Sequence, residues 1–459
     1  MNQLLDRIKN KLNIQGSFLK SVSVLVGGTV FSQLLTTASL PLITRLYTPE
    51  QFSVFAVYVS MLTIFSVVCC LRFEIAIPIS QDDREAVSLS LLSILSNTIF
   101  TIILFFIIAM FADSIRIWID KEEILGYTWL LPLGVFATGL YTTFQYWATR
   151  KRQYTVIAKT NVVQSGMGII TQILSALLGF GVLGLILGQI MKSSAGTLRL
   201  AKNFLHQNMA FIREENFSQL RKVFYKNSQF PKYSVLDALA NTASIHMPIL
   251  IIATLSVGAE VGFLTLAMQL LAIPITFIGR SVSQVYLAEA PAKVEVGKVG
   301  EFTVNVLEHL LFIGVTVLLI IGILSPLLVK YIFGQQWADM GSIISWMIPW
   351  FTFQLISSPI SMIMHIVGKQ KQLLYLTLFG LFLKLCALYV QYKINPDYLV
   401  QNFAISSAIF YMIASFIFLK LAQVKWRDLQ SLFMKAICFF VIIASSLGGI
   451  IHVLNINGV

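Results

Sequence analysis

Residues 230–290 read FPKYSVLDALANTASIHMPILIIATLSVGAEVGFLTLAMQLLAIPITFIGRSVSQVYLAEA. Two apolar runs are joined here by the short turn Ser256-Val257-Gly258-Ala259-Glu260. Each run is long enough to cross a bilayer, which takes about 20 residues, so the stretch is predicted to be a transmembrane helical hairpin. The runs are not uniformly apolar. Asp237, Asn241, His246, Gln269, Arg280 and Gln284 interrupt them, together with Pro248 and Pro274. Polar groups at such depth face a bundle interior or a water-filled cavity.

Outward from this hairpin the same texture continues along the whole chain. Hydrophobic residues make up 57% of the 459 and charged residues 12%, too few charges to coat a water-soluble core. The apolar runs recur from end to end, which predicts an all-α polytopic membrane protein with no separate soluble domain. A spanning barrel would alternate over ten-residue strands instead. The formal charge of +12 is explained by basic loops on one membrane face, and nucleic acid is not expected as a partner. Cys69, Cys70, Cys386 and Cys438 fall inside apolar runs without CxxC spacing, so neither a disulfide nor a metal site is indicated. Arg7, Lys9, Lys11 and Lys20 precede a first run too long for a signal sequence, and that run is expected to be a retained helix with its N-terminus in the cytoplasm.

Spans are predicted at 18–44, 52–78, 86–111, 124–149, 155–178, 182–203, 234–256, 259–287, 303–331, 341–366, 371–392, 398–421 and 435–455. The chain thus has 12 or 13 helices, the last of them fixing the side of the C-terminus. With the N-terminus inside, about 22 of the 33 Lys and Arg fall in cytoplasmic segments and about five outside, as the positive-inside rule requires. The long basic connection around 202–232 contains Phe204, Leu205, Phe211, Ile212, Leu220, Val223 and Phe224. It reads equally as a surface helix on the anionic inner leaflet or as a solvated linker. The domains expected are an N-terminal lobe at 1–203, a basic cytoplasmic linker at 204–232, a C-terminal lobe at 233–421, and a loop with an additional helix at 422–459. TPEQFSVFAV, opening the second span, can be laid on VGAEVGFLTL, opening the eighth, which suggests an internal repeat of the kind that builds two-lobed transporters.

Several positions match a known pattern. FPKYS, Asn241, Met247-Pro248-Ile249, VGFLTLA, Ile273-Pro274-Ile275, Ile278-Gly279 and Ser283-Gln284-Val285-Tyr286, with RLYTPEQF at 45–52 and Arg72-Phe73-Glu74, resemble the bacterial O-antigen and polysaccharide flippases of the multidrug/oligosaccharidyl-lipid/polysaccharide exporter superfamily. Ser53 stands where that family usually has Gly. The resemblance implies two pseudo-symmetric six-helix lobes around a central cavity and a flippase that moves undecaprenyl-diphosphate-linked oligosaccharide from the cytoplasmic to the periplasmic leaflet by alternating access. The cargo would be an O-antigen, lipopolysaccharide or other surface-polysaccharide repeat unit, and the location a bacterial inner membrane. Besides the lipid-linked glycan and the bilayer, a polysaccharide polymerase and chain-length regulator are candidate partners.

Such a cargo carries an anionic diphosphate and many hydroxyls, so Arg and Lys would hold the phosphates and amides the sugars. The substrate-binding candidates are Arg45, Arg72, Glu74, Lys159, Arg280, Lys384, Gln269 and Gln284. Lys384, near the middle of LYLTLFGLFLKLCALYVQY, is the deepest cation, with Arg280 next; Arg45 and Lys159 also read as interfacial side chains that snorkel. Arg72 and Glu74 lie two apart, which on a continuous helix keeps them from facing one another. Asp237 and His246 are the candidates for coupling to an ion gradient. Asp237 also reads as the third residue of a helix capped by Ser234, and His246 as a donor to the carbonyl that Pro248 frees. Thr48-Pro49-Glu50-Gln51 has the form of a capping box, and Gly184 and Gly188 form a GxxxG packing pair. No phosphate-binding loop is present, since Gly368-Lys369 lacks the upstream Gly, and no cofactor is expected. The outer loops are too short for a catalytic domain. Two further readings remain: a drug or metabolite cation antiporter of the same superfamily, and a non-transporting scaffold for polysaccharide assembly.

Overall fold

The computed structural model describes residues 2–111, 126–255 and 258–432, with short pieces between 434 and 445, and side chains from Val24 onward except at Arg280 and a few others. Most of the predicted helix at 435–455, Cys438, the outer loop near 112–123, and Ser256 and Val257 of the hairpin turn lie outside the described residues. What is described is helical, and nine of its helices are long and apolar enough to cross a membrane. The chain falls into two compact units, one of Met1–Tyr47 with Val57–Thr242 and one of Thr48–Ala56 with Ala243–Val459.

The first unit contains α1 (Asn2–Leu46), most of α2 (Pro49–Val68), the short α3 (Phe73–Ala76), α4 (Asp83–Met110), α5 (Leu131–Arg150), α6 (Tyr154–Leu177) and α7 (Val182–Ser194). Small and hydroxyl residues let these helices approach closely, as is usual where lipid supplies no hydrophobic drive between them. The Ser32 hydroxyl donates to the Asn161 carbonyl at 2.9 Å and lies 2.6 Å from that of Ser165, while a Cβ on Gly28 would come within 2.7 Å of Ala158. The predicted packing pair behaves likewise. Gly184 leaves room for the Tyr47 hydroxyl and Gly188 for Gln172, and the Tyr47 hydroxyl donates to the Gln172 carbonyl at 2.6 Å.

Two breaks depart from the continuous spans expected. The helix predicted over 52–78 stops at Val68 and resumes as α3, because Leu71 and Arg72 adopt left-handed backbone with φ of 50° and 62°. Arg150 ties down the chain beyond that break, donating to the Ser80 carbonyl at 2.8 Å and pairing with Asp83 at 3.0 Å. The helix predicted over 182–203 breaks after Ser194, at Gly196, whose φ is +86°; a Cβ there would also meet Thr160 at 2.7 Å. The chain continues as α8 (Thr197–Glu214) and α9 (Phe217–Lys226). Of the apolar positions in the predicted linker, Phe204 lies in the buried cluster of the first unit, and Phe211, Ile212, Leu220, Val223 and Phe224 pack against it.

The second unit contains the rest of α10 (Val235–Leu255), then α11 (Glu260–Pro274), α12 (Arg280–Glu295), α13 (Val299–His309), α14 (Thr316–Phe333), α15 (Met340–Ile360), α16 (Ile363–Ile366), α17 (Gln370–Ile394) and α18 (Leu399–Leu421). Wide π-turns at Phe230–Ser234, Ile275–Gly279 and Leu310–Val315 interrupt its helical runs or lead into them; the second follows Pro274, which has no N–H to give. The helix of the hairpin therefore enters through the π-turn at Phe230, not at a Ser234 cap as the reading of Asp237 supposed. Trp337 is fully buried against Phe52 and Phe263, with ring centroids 5.0 and 5.8 Å away.

Candidate functional site

The strongest candidate is built around Lys384. Halfway along α17 its side chain is 97% shielded, with a relative exposure of 3%. Three local choices of sequence make a place for it. Pro248 in α10 cannot donate to the residue four before it, which frees the Ser244 carbonyl; Lys384 Nζ donates to that oxygen at 3.4 Å. Gly380, one turn before Lys384, has no side chain to exclude the Phe410 ring of α18, which a Cβ would overlap. The ammonium therefore lies 5.2 Å from the Phe410 centroid and 5.7 Å from that of Tyr411, within cation–π range. Among the described residues no carboxylate forms an ion pair with it. The result is a buried cation held by one carbonyl dipole and two aromatic faces, with hydrogen-bonding capacity to spare.

A second polar site lies in the first unit at the break in the second helix. Arg72 pairs with Glu74 at 3.6 Å, which corrects the expectation that residues two apart would not meet. That expectation assumed unbroken helix; the left-handed turn at Leu71 and Arg72 swings the guanidinium back over α3. Glu74 is 4% exposed, and Arg72 Nε and Glu74 Oε2 are both buried without a hydrogen-bond partner. Strained backbone of this kind costs about 1–3 kcal/mol per residue and concentrates at functional sites.

The remaining candidates are dispersed. Arg45 and Lys159 are exposed, on α1 and α6. Gln269 is half-buried in α11 and Gln284 is exposed on α12. Asp237 is exposed and His246 half-buried, both on α10. Arg280 begins α12, but its side chain lies outside the described residues. A cavity of about 250 Å³ opens instead between α4 and α9. None of the predicted site residues lines it, and its acids, Asp82, Glu85 and Glu215, are matched by Arg84, Lys222 and Lys226. No group of three or more His, Cys, Asp or Glu suited to a metal ion occurs among the described residues.

Sequence reasoning missed Ser244, Phe410 and Tyr411. The signal for the first was available, since any proline inside a helix exposes the carbonyl four residues earlier. Nothing local marks the two aromatics, because α18 meets α17 only in the fold.

Several solved structures share this fold. An inward-facing multidrug resistance MATE family transporter of the MOP superfamily superposes with a TM-score of 0.67 at 16% identity, over 87% of this chain and 95% of its own. The lipid II flippase MurJ in an inward closed conformation gives 0.67 at 14% identity, over 94% of this chain and 97% of its own. A MATE protein in the bent conformation gives 0.56 at 15% identity, over 91% and 97%. No curated protein matches the chain. The family described as polysaccharide biosynthesis protein matches residues 42–342, more than half the length. The chain therefore belongs to the polysaccharide biosynthesis protein family and has the all-helical membrane fold of MOP-superfamily transporters and flippases.

Proposed function

We propose that this protein is a flippase that carries a lipid-linked oligosaccharide, joined to its polyprenyl tail through a diphosphate, across a bacterial inner membrane. The observation that carries the reading is Lys384. A lysine at the centre of a membrane helix costs about 2.5–3.5 kcal/mol on insertion scales, and here no described acid offsets it. An anionic headgroup would supply the missing charge, and the spare N–H groups of Lys384 would donate to phosphate oxygens. In this reading the N-terminus is cytoplasmic, and the headgroup passes between alternately open sides while the lipid tail stays in the bilayer. With the cell interior negative, each negative charge moved outward gains about 2.3 kcal/mol per 100 mV, so membrane potential by itself favours export. The protein performs no covalent chemistry in this reading.

The MATE and MurJ likenesses are equally good, so fold does not choose between drug and glycan. The polysaccharide biosynthesis family and the unpaired cation favour the anionic glycan; a drug-cation antiporter would bury an unpaired acid where this protein buries Lys384. The test is complementation, in the host that makes the matching glycan, of a strain lacking its flippase. Wild type is compared with Lys384→Ala and Arg280→Ala at matched membrane levels. Wild type is expected to restore surface glycan, with Lys384→Ala reducing it at least tenfold. Failure of well-expressed wild type would overturn the flippase reading, and full activity of both variants would favour a scaffold.

A further inference from the structure

Of the apolar residues in the 197–226 arm, Phe204, Leu220, Val223 and Phe224 are packed on the first unit, with the Phe224 and Phe73 rings 5.4 Å apart, while Leu205 is exposed. What α9 presents outward is a second, different stripe. Phe217, Arg221 and Tyr225 follow one another at intervals of four and so share one helix face. Phe217 and Tyr225 are 79% and 62% exposed, and the Arg221 guanidinium lies 5.7 Å from the Tyr225 ring. Arg213, Lys222, Lys226 and Lys232 are exposed on the same arm, and residues 197–232 carry seven Lys or Arg against two Glu.

The position of α9 is restricted as well. Its C-terminal Lys226 reaches Glu85 at the start of α4 at 2.9 Å, and Asn227 donates to the same carboxylate at 3.2 Å. Four residues later, at Phe230, begins the apolar span Phe230–Leu255. Four extended residues reach at most about 14 Å, so α9 cannot leave the neighbourhood of the membrane surface. Aromatic rings interleaved with Arg, on a basic helix held at that height, match the headgroup layer of an acidic leaflet, where rings sit at the apolar boundary and cations meet phosphates.

We propose that the Phe217–Arg221–Tyr225 face of α9 docks into the headgroup layer of an anionic membrane leaflet and anchors the basic arm there. The lipid surface is the occupant, chosen by charge complementarity and by the tether to the adjoining span. This does not depend on which cargo is moved, so it can fail while the flippase reading stands, and the reverse.

The full chain, with Cys69, Cys70, Cys386 and Cys438 replaced and a nitroxide at Phe217→Cys or Tyr225→Cys, is reconstituted in phosphatidylcholine vesicles with or without about 30% phosphatidylglycerol. Collision rates with oxygen and with a water-soluble nickel chelate report immersion. The ratio of oxygen to nickel collisions is expected to rise at least fivefold with the anionic lipid and to fall back in Arg221→Glu. A label open to nickel in both lipids overturns the proposal, as does one shielded from both reagents, which would place protein on the stripe. Immersion that is equal in neutral vesicles overturns the anionic preference. Should the cysteine-free chain fail to fold, hydrogen exchange of the unmodified protein in nanodiscs decides: slower exchange across 214–229 with anionic lipid supports docking, and unchanged exchange overturns it.

Discussion

Lys384 and Arg72 are both held at an energetic cost, and the two costs differ in kind. For Lys384 the cost is electrostatic, a charge removed from water with one carbonyl and two rings for company. Lys384→Met keeps the length and removes the charge, so it should leave thermal stability in detergent unchanged or raised while abolishing glycan export. A marked fall in Tm would instead give the ammonium a structural role. For Arg72 the cost is conformational, since a non-glycine residue at φ 62° is strained by about 1–2 kcal/mol. Arg72→Gly removes that strain along with the guanidinium, so its stability should fall by less than that of Arg72→Ala, with export reduced in both. Differential scanning fluorimetry on the purified pair checks the order.

At the scale of elements, the start of α2 and the start of α11 are the two segments that the sequence laid on one another, and in the second unit they touch. Thr48 caps α2 as expected, with Thr48 N–H donating to Gln51 Oε1 at 3.1 Å and Gln51 N–H to Thr48 Oγ1 at 3.4 Å. Ser53, which stands where the resembling family has Gly, accepts from the Gly262 N–H at 2.8 Å and donates to the Gly258 carbonyl at 2.9 Å. Gly262 in turn has no Cβ because the Pro49 carbonyl occupies that space. Gly262→Ala must push one helix end off the other, a cost of about 1–3 kcal/mol. Ser53→Ala strands the buried Gly262 N–H, for about 1–3 kcal/mol. Both should lower Tm measurably, and their effects should fall short of additive because they weaken one contact. Additive losses would mean that the two residues act independently.

For the whole molecule, the distribution of Lys and Arg makes a prediction that no single contact does. A cysteine at Ser218, on the basic arm, should react with an impermeant maleimide only after cells are opened. One at Gln335, between α14 and α15, should react on intact cells; the opposite pattern would invert the proposed topology. Composition, the length of the apolar runs and the charge bias were enough to establish a helical membrane protein, because lipid permits no unsatisfied backbone and so leaves helix as the only form for such runs. Motif matches at 45–52 and 230–290 carried the family, and the capping box and the glycine pair were legible because each is settled within a turn or two of chain. The packing of the linker helices on the first unit, the break at Leu71 and Arg72, the meeting of Arg72 with Glu74, and the surroundings of Lys384 were not. A continuous apolar run does not reveal where its helix breaks, and α10, α17 and α18 are brought together only by packing. The sequence by itself determined that a cation lies deep in the membrane; only the tertiary structure decided that a proline-freed carbonyl and two rings receive it, because those partners lie about 140 and 26 residues away along the chain, beyond the reach of any local pattern.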